Sequence, residues 1–345
     1  MSVDFNVSAA AAPTAGAEGL NSRTMTNEHS DWQPTATHES LRVRADTLAA
    51  LRRFFAERGV LEVETPALSA AAVTDLHLHS VACRLEADDR RTRYLQTSPE
   101  YAMKRLLAAG SGPIYQICKV FRDGERGRRH NPEFAMLEWY RPGWDHHRLM
   151  DEVDELLQTV LGVAAGERIS YADAFRRHAG VDPHAADDGE LRSRVATLGV
   201  SDVSELDRDD LLNLLLSHTV EARLGVGRPT FLFDYPASQA ALARIRPGDP
   251  PVAERFEVFI DGIELANGFH ELTDPEEQRR RFEADLAERR RRGLPEVAVD
   301  ERLLAALAAG LPDCAGVALG VDRLVMLRVG TRDIADVIAF PIDRA

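Results

Sequence analysis

The chain has 345 residues, 44% hydrophobic and 28% charged, enough for one large core or two modest ones. Its formal charge of −14 excludes the broad basic surface that indiscriminate nucleic-acid binding requires, while leaving room for a small basic pocket. Three widely spaced cysteines, Cys83, Cys118 and Cys314, form neither a disulfide framework nor a CxxC metal pair, and read as buried thiols.

No apolar run approaches the length that crosses a bilayer, and no cationic start precedes an apolar block at the N-terminus. A cytoplasmic protein is expected. Lys104 and Lys119 are the only lysines, so arginine carries nearly all the positive charge. Residues 1 to about 30 are small and polar and predict a disordered tail, with order beginning near Trp32.

Residues 40–58 place Leu41, Leu48, Leu51, Phe54 and Phe55 largely on one helical face, and Gly59 supplies a stop. A short strand over 59–66 follows, ended by Pro66. Residues 80–97 alternate around Asp88-Asp89 as a hairpin, and Ser98-Pro99-Glu100 opens a helix with a serine cap. Residues 114–121 and 134–140 alternate on either side of a loop rich in arginine, which predicts a long antiparallel hairpin.

A helix is expected over 146–161, and an inserted helical section over about 166–225, with a cap at Ser170/Asp173 and a long helix over 207–223. Strand pattern returns at 230–235 and at 255–267, broken by the turn dipeptide Asp261-Gly262. Thr273-Asp274-Pro275-Glu276 reads as a capping box opening a charged helix that stops at Gly293. Residues 316–320 form a short strand running into a helix with Asp322 and Arg323 in its first turn. Strands joined by hairpins, with helices between them, predict an α+β fold on a largely antiparallel sheet.

Neither GxxxxGK[ST] nor GxGxxG nor GxSxG occurs. His270-Glu271-Leu272-Thr273-Asp274 lacks the second histidine of a zinc protease, and His77 and His79 read as exposed rather than as metal ligands. Glu264, Ala266 and Gly268 are predicted to share one strand face, the small pair leaving space beside a carboxylate for a cation. Arg323 follows a glycine at a strand-to-helix turn, where it suits a phosphate. The guanidinium groups around Arg122 suit a polyanion too, the alternative being a solvated basic loop. Arginines from two elements beside carboxylates from a third describe a site for a metal–triphosphate.

These residues resemble the catalytic domain of class II aminoacyl-tRNA synthetases, in the lysine/aspartate/asparagine subclass. Residues 59–66 resemble the first motif of that class, which forms the family's dimer interface. Residues 121–138, with Arg129-His130-Asn131-Pro132-Glu133-Phe134, resemble the second, and Gly320-Val321-Asp322-Arg323-Leu324 the third. The narrower match is to the elongation factor P–lysine ligase family, since the pattern begins near residue 40 with no nucleic-acid-binding barrel before it. The resemblance implies one catalytic domain over 31–345, in a homodimer.

The same resemblance implies an ATP site formed by Arg122, Asp123, Gly124, Glu125, Asn131, Glu264, Leu265, Gly320 and Arg323, with Arg122 and Arg323 catalytic. It implies an amino-acid site of Ser98, Pro99, Glu100, Tyr140, Asn267, Glu271 and Ala318, and Mg²⁺ held by Glu264 and Glu271. A diamino acid carries two ammonium groups, which acids such as Glu100 and Glu271 receive. The implied reaction activates (R)-β-lysine, or lysine, as an adenylate and transfers it to a lysine of elongation factor P. The alternative is tRNA charging without an anticodon domain. Ala318 stands where lysyl-tRNA synthetases carry more glycine, so its methyl is expected to shape the amino-acid pocket. The chain departs from the family at Gly124, where a glutamate usually contacts adenine; Glu125 lies one residue on.

Overall fold

The computed structural model describes residues 32–200 and 202–345; the expected tail over 1–30 lies outside them. The first helix, α1 (His38–Glu57), is capped by the Thr37 hydroxyl and leads into a two-residue strand, β1 (Leu61–Glu62). The strand expected over 59–66 is this short because its register with β5 covers Leu61 and Glu62, parallel to Ile114 and Tyr115, and closes with the Val63 amide on the Tyr115 carbonyl. Next come β2 (Leu68–Ser69), β3 (Ala82–Arg84) and β4 (Thr92–Leu95), a small separate sheet that includes the expected 80–97 hairpin. Helix α2 (Glu100–Ala108) follows. Pro99 takes its cap position, one residue later than expected, and the Ser98 hydroxyl accepts from the Glu100 amide at 3.0 Å.

The long hairpin is β5 (Ile114–Phe121) and β6 (Glu133–Pro142), and α3 (His146–Leu161) has the expected bounds, set by the Asp145 cap and the left-handed Gly162. The 166–225 segment opens with a strand, β7 (Glu167–Ser170), pairing in parallel with the main sheet. It continues as α4 (Tyr171–His178), α5 (Asp188–Ala196) and α6 (Arg208–Leu215). The long helix expected over 207–223 stays α-helical only to Leu215, then loosens into a wider π turn and tightens to 3₁₀.

Then come β8 (Thr230–Pro236), β9 (Ile245–Arg246), β10 (Val252–Ile260) and β11 (Ile263–His270). Helix α7 (Pro275–Arg291) is capped by Asp274, which accepts from the Glu276 and Glu277 amides, so the cap falls one residue after Thr273. The chain closes with α8 (Glu301–Gly310), β12 (Cys314–Gly320) and α9 (Val321–Val329).

The large sheet runs β1-β5-β6-β12-β11-β10-β8-β7, with β9 beside β10. Only the two edge pairs, β1–β5 and β7–β8, are parallel, so the sheet is mixed and the class is α+β. Along β6, Ala135, Leu137 and Trp139 point to one face and join the core beneath α1, α3 and α9, where Phe55 stacks on Tyr115 at 4.4 Å. Tyr140 lies on the other face, toward Met103 of α2 and Leu303 of α8. That front face carries the cleft.

Candidate active site

The front of the sheet floors a cleft of about 1410 Å³, reached by α2, the β5–β6 loop and the start of α9. At one end three acids surround one ammonium. The Lys104 Nζ lies 2.6 Å from Glu100 Oε1 and 2.6 Å from Glu271 Oε2, and Lys104 is only 1% exposed. Glu138 accepts hydrogen bonds from the Ser98 hydroxyl at 2.8 Å and the Tyr140 hydroxyl at 2.6 Å. Burial would lower the Lys104 ammonium, but Glu100 and Glu271 outweigh it and hold it above its ordinary range. Burial pushes Glu271 up to about 8 against the attraction of Lys104. Burial, then the charge of Glu100, pushes Glu138 up to about 7 against its hydroxyl donors. With all three acids ionised, one lysine against three carboxylates leaves the cluster two cations short of neutrality.

Gly316 on β12 gives this end its room. A Cβ there would collide with the Tyr140 ring and come within 2.6 Å of Glu271 Oε1. Ala318 sits on the same face, paired across the sheet with Asn267 and Glu138.

At the other end are the arginines. Arg323, in the first turn of α9, donates to the Glu264 carbonyl at 2.7 Å, and its guanidinium lies 2.7 Å from the His130 Nε2. The neighbouring Asp322 fixes this turn, accepting from Arg44 at 2.5 Å and from the Ala135 amide at 2.6 Å. Arg122 donates to the Thr97 carbonyl at 3.3 Å and lies 3.4 Å from Glu125 Oε1, above the Phe134 ring. Gly124 takes a left-handed turn at φ 81° and Asp123 bonds the His79 carbonyl through its amide. Asn131 is spent internally: it donates to the Glu133 carbonyl at 2.6 Å and accepts from the Ile342 amide at 2.9 Å, tying the C-terminal segment to the hairpin.

The strand faces around Glu264 differ from strict alternation. Val258 pairs with Ala266, but Phe259 pairs with Glu264, so β11 carries one extra residue there. Leu265 and Ala266 both go to the core. Gly268 also faces the core, where a Cβ would strike the Phe256 ring, so it opens no space beside a carboxylate. Glu264 and Asn267 instead line the cleft with Glu271, Asn267 accepting from Arg255 at 3.3 Å. Leu265 is 3% exposed, packed in the core and also lining the cleft. Pro99 and Gly320 occupy the helix caps of α2 and α9 at the rim.

The cleft thus brings together the residues expected from α2, β6, β11, β12 and the β5–β6 loop. Sequence reasoning missed Lys104 and the role of Glu138. One signal was present: Lys104 keeps a lysine in a chain whose basic residues are otherwise almost all arginine.

A sheet floor with an acid-lined pocket at one end and two arginines at the other, on a class II plan, defines the class of protein. The model of the class II tRNA synthetases (D, K and N) matches residues 21–344, and the chain belongs to that family. Within it, the chain is 57% identical over 324 residues to an elongation factor P–(R)-β-lysine ligase of Salmonella gallinarum, covering 92% of this chain and 100% of that protein. Proteins of the same name from Salmonella paratyphi B and Salmonella heidelberg are each 56% identical over the same span.

Proposed function

We propose that this chain is an ATP-dependent ligase that activates (R)-β-lysine and joins it to a lysine side chain of elongation factor P. The observation that carries the reading is the electrostatic division of the cleft. A buried cluster short of positive charge suits a diamino acid, and Arg122 and Arg323 suit the triphosphate.

In the first step a carboxylate oxygen of the amino acid bonds to the α-phosphorus of ATP and pyrophosphate leaves. Arg122 is assigned to the α-phosphate and Arg323 to the γ-phosphate end, each held in advance by backbone carbonyls, so little reorganisation is needed. Glu100, Glu138, Tyr140 and Glu271, with Ser98, orient the ammonium groups. In the second step the ε-amine of the target lysine attacks the activated carbonyl, loses a proton, and AMP leaves. Mg²⁺ bound with ATP would neutralise phosphate charge. Glu264, partly open to the cleft beside Arg323, fits its ligation, whereas Glu271 is already held on Lys104 and is assigned to the substrate ammonium. Glu125, beside Arg122, takes the adenine side of the loop.

The proposed unit is one catalytic domain over 31–345 acting as a cytoplasmic homodimer. The edge strand β1 with its exposed Leu61 supports pairing of two copies, and among the described residues no helix is long and apolar enough to cross a membrane. The test is pyrophosphate exchange with ATP, Mg²⁺ and either α- or β-lysine, followed by intact-mass measurement of elongation factor P. Exchange with a lysyl mass increment is expected. Charging of tRNA with no change in elongation factor P would overturn the assignment of the acceptor.

A further inference from the structure

A second cluster lies on the back of the sheet, behind Glu271. His270 follows the alternation of β11 away from the cleft and meets Glu254 of β10, while His146, at the start of α3, lies beside the His270 ring and faces Asp234 of β8. We propose that His146, Asp234, Glu254 and His270 bind one divalent transition-metal ion of the zinc type, clasping α3 to the sheet.

Candidate ligand atoms of His146, Glu254 and His270 all lie within 4.8 Å of one another. His146 is 1% exposed, yet neither of its ring nitrogens has a hydrogen-bond partner. The nearest acid is Asp234, whose Oδ1 is 3.8 Å from His146 Nε2, too far for a hydrogen bond; that oxygen is also buried and unpartnered. Two buried unsatisfied groups facing each other call for something between them.

The backbone aims Asp234 there. It sits at the register shift between β8 and β10 with φ 59°, a left-handed conformation uncommon outside glycine, and such irregularities redirect side chains.

The surroundings have the form of supports for metal ligands. Arg246 takes the outer oxygen of Asp234 at 2.5 Å and lies 3.5 Å from Glu254 Oε1, leaving Asp234 Oδ1 and Glu254 Oε2 turned inward. Asp313 lies 3.0 Å from His270 Nε2 and is itself held by Arg244 at 2.5 Å. A carboxylate on the outer nitrogen fixes the imidazole so that Nδ1 faces the ligand position. Without an ion, His270 Nδ1 lies 2.6 Å from Glu254 Oε2, a contact that a bound ion would replace. Two imidazoles and two carboxylates match zinc-type ions better than Mg²⁺ or Ca²⁺, which prefer oxygen alone.

The test uses the full chain, stripped with a chelator and dialysed. Titration with Zn²⁺ by calorimetry should give one equivalent and raise the melting temperature, and Co²⁺ should give a visible spectrum with imidazole ligation. His146→Leu and Glu254→Gln, checked for folding by circular dichroism, should each abolish the site. Asp313→Asn should weaken Zn²⁺ binding by about 10–100-fold. If the folded wild-type chain takes up neither ion, or both ligand variants bind as the wild type does, the cluster is an ion-pair network only and the proposal falls.

Discussion

Replacing Lys104 by methionine tests whether the acid cluster is held by one buried cation. The side chain keeps its apolar stem, one atom shorter, and loses its charge, leaving Glu100 and Glu271 without their shared partner. At 2.6 Å and an effective dielectric of about 20, each ion pair is worth roughly 6 kcal/mol before desolvation. Taking Lys104 and Glu271 out of water offsets most of that, and breaking such a buried pair typically costs about 3–5 kcal/mol. Lys104→Met is therefore expected to lose that much in urea unfolding at neutral pH. The double variant Lys104→Met/Glu271→Gln should recover part of it, because it no longer buries an unpaired charge. Amino-acid-dependent pyrophosphate exchange should drop in both, through weaker binding of the amino acid. Unchanged stability in the single variant, or a double variant no better than the single, would refute the shared-cation reading.

Arg323→Ala should abolish pyrophosphate exchange while leaving the melting temperature near that of the wild type; retained exchange would remove Arg323 from the phosphate site. Ala318→Gly should change the ratio of α- to β-lysine activation, and an unchanged ratio would end the role given to its methyl. Glu138 is raised to about 7, so amino-acid activation should fall as pH drops through that value and the charge that receives the Ser98 and Tyr140 hydroxyls is lost. Because the folded value lies above the unfolded one, the folded chain binds the extra proton between about 4.5 and 7. The contribution of Glu138 to stability is thus full at low pH and lost as pH rises through 7. Glu138→Gln should remove the acid limb of the rate profile and be relatively more stable at alkaline pH, measured by denaturation at several pH values.

Where local chemistry set the structure, the sequence was readable. The α3 bounds follow from Asp145 and Gly162, and the β10–β11 turn from Asp261 and Gly262, both at positive φ. These choices involve neighbours within a few residues. The helix expected over 207–223 fails for the opposite reason: beyond Leu215 its path answers to packing around Tyr171, Phe175 and Phe259, contributed by distant segments. The acid cluster was hidden in the same way. Lys104, Glu138 and Glu271 look like isolated polar residues in apolar patterns until α2, β6 and β11 bring them within contact.

The extra residue in β11 was nevertheless inferable. The family resemblance assigns Glu264 and Glu271 to one cleft, and they stand seven residues apart, Glu264 on β11 and Glu271 directly after its end. Strict alternation sends residues at an odd separation to opposite faces. One of two things had to yield: the shared cleft or the regular strand. The strand yields, at Leu265 and Ala266, which turn to the core in succession and restore Glu264 to the front. Reading Glu264 with Ala266 and Gly268 respected the period of the strand and overlooked the demand of the site. With the irregularity admitted, the same strand presents Glu264, Asn267 and Glu271 to the cleft and His270 to the cluster behind it. The place of Glu264 on the cleft face therefore depends on one unpaired residue.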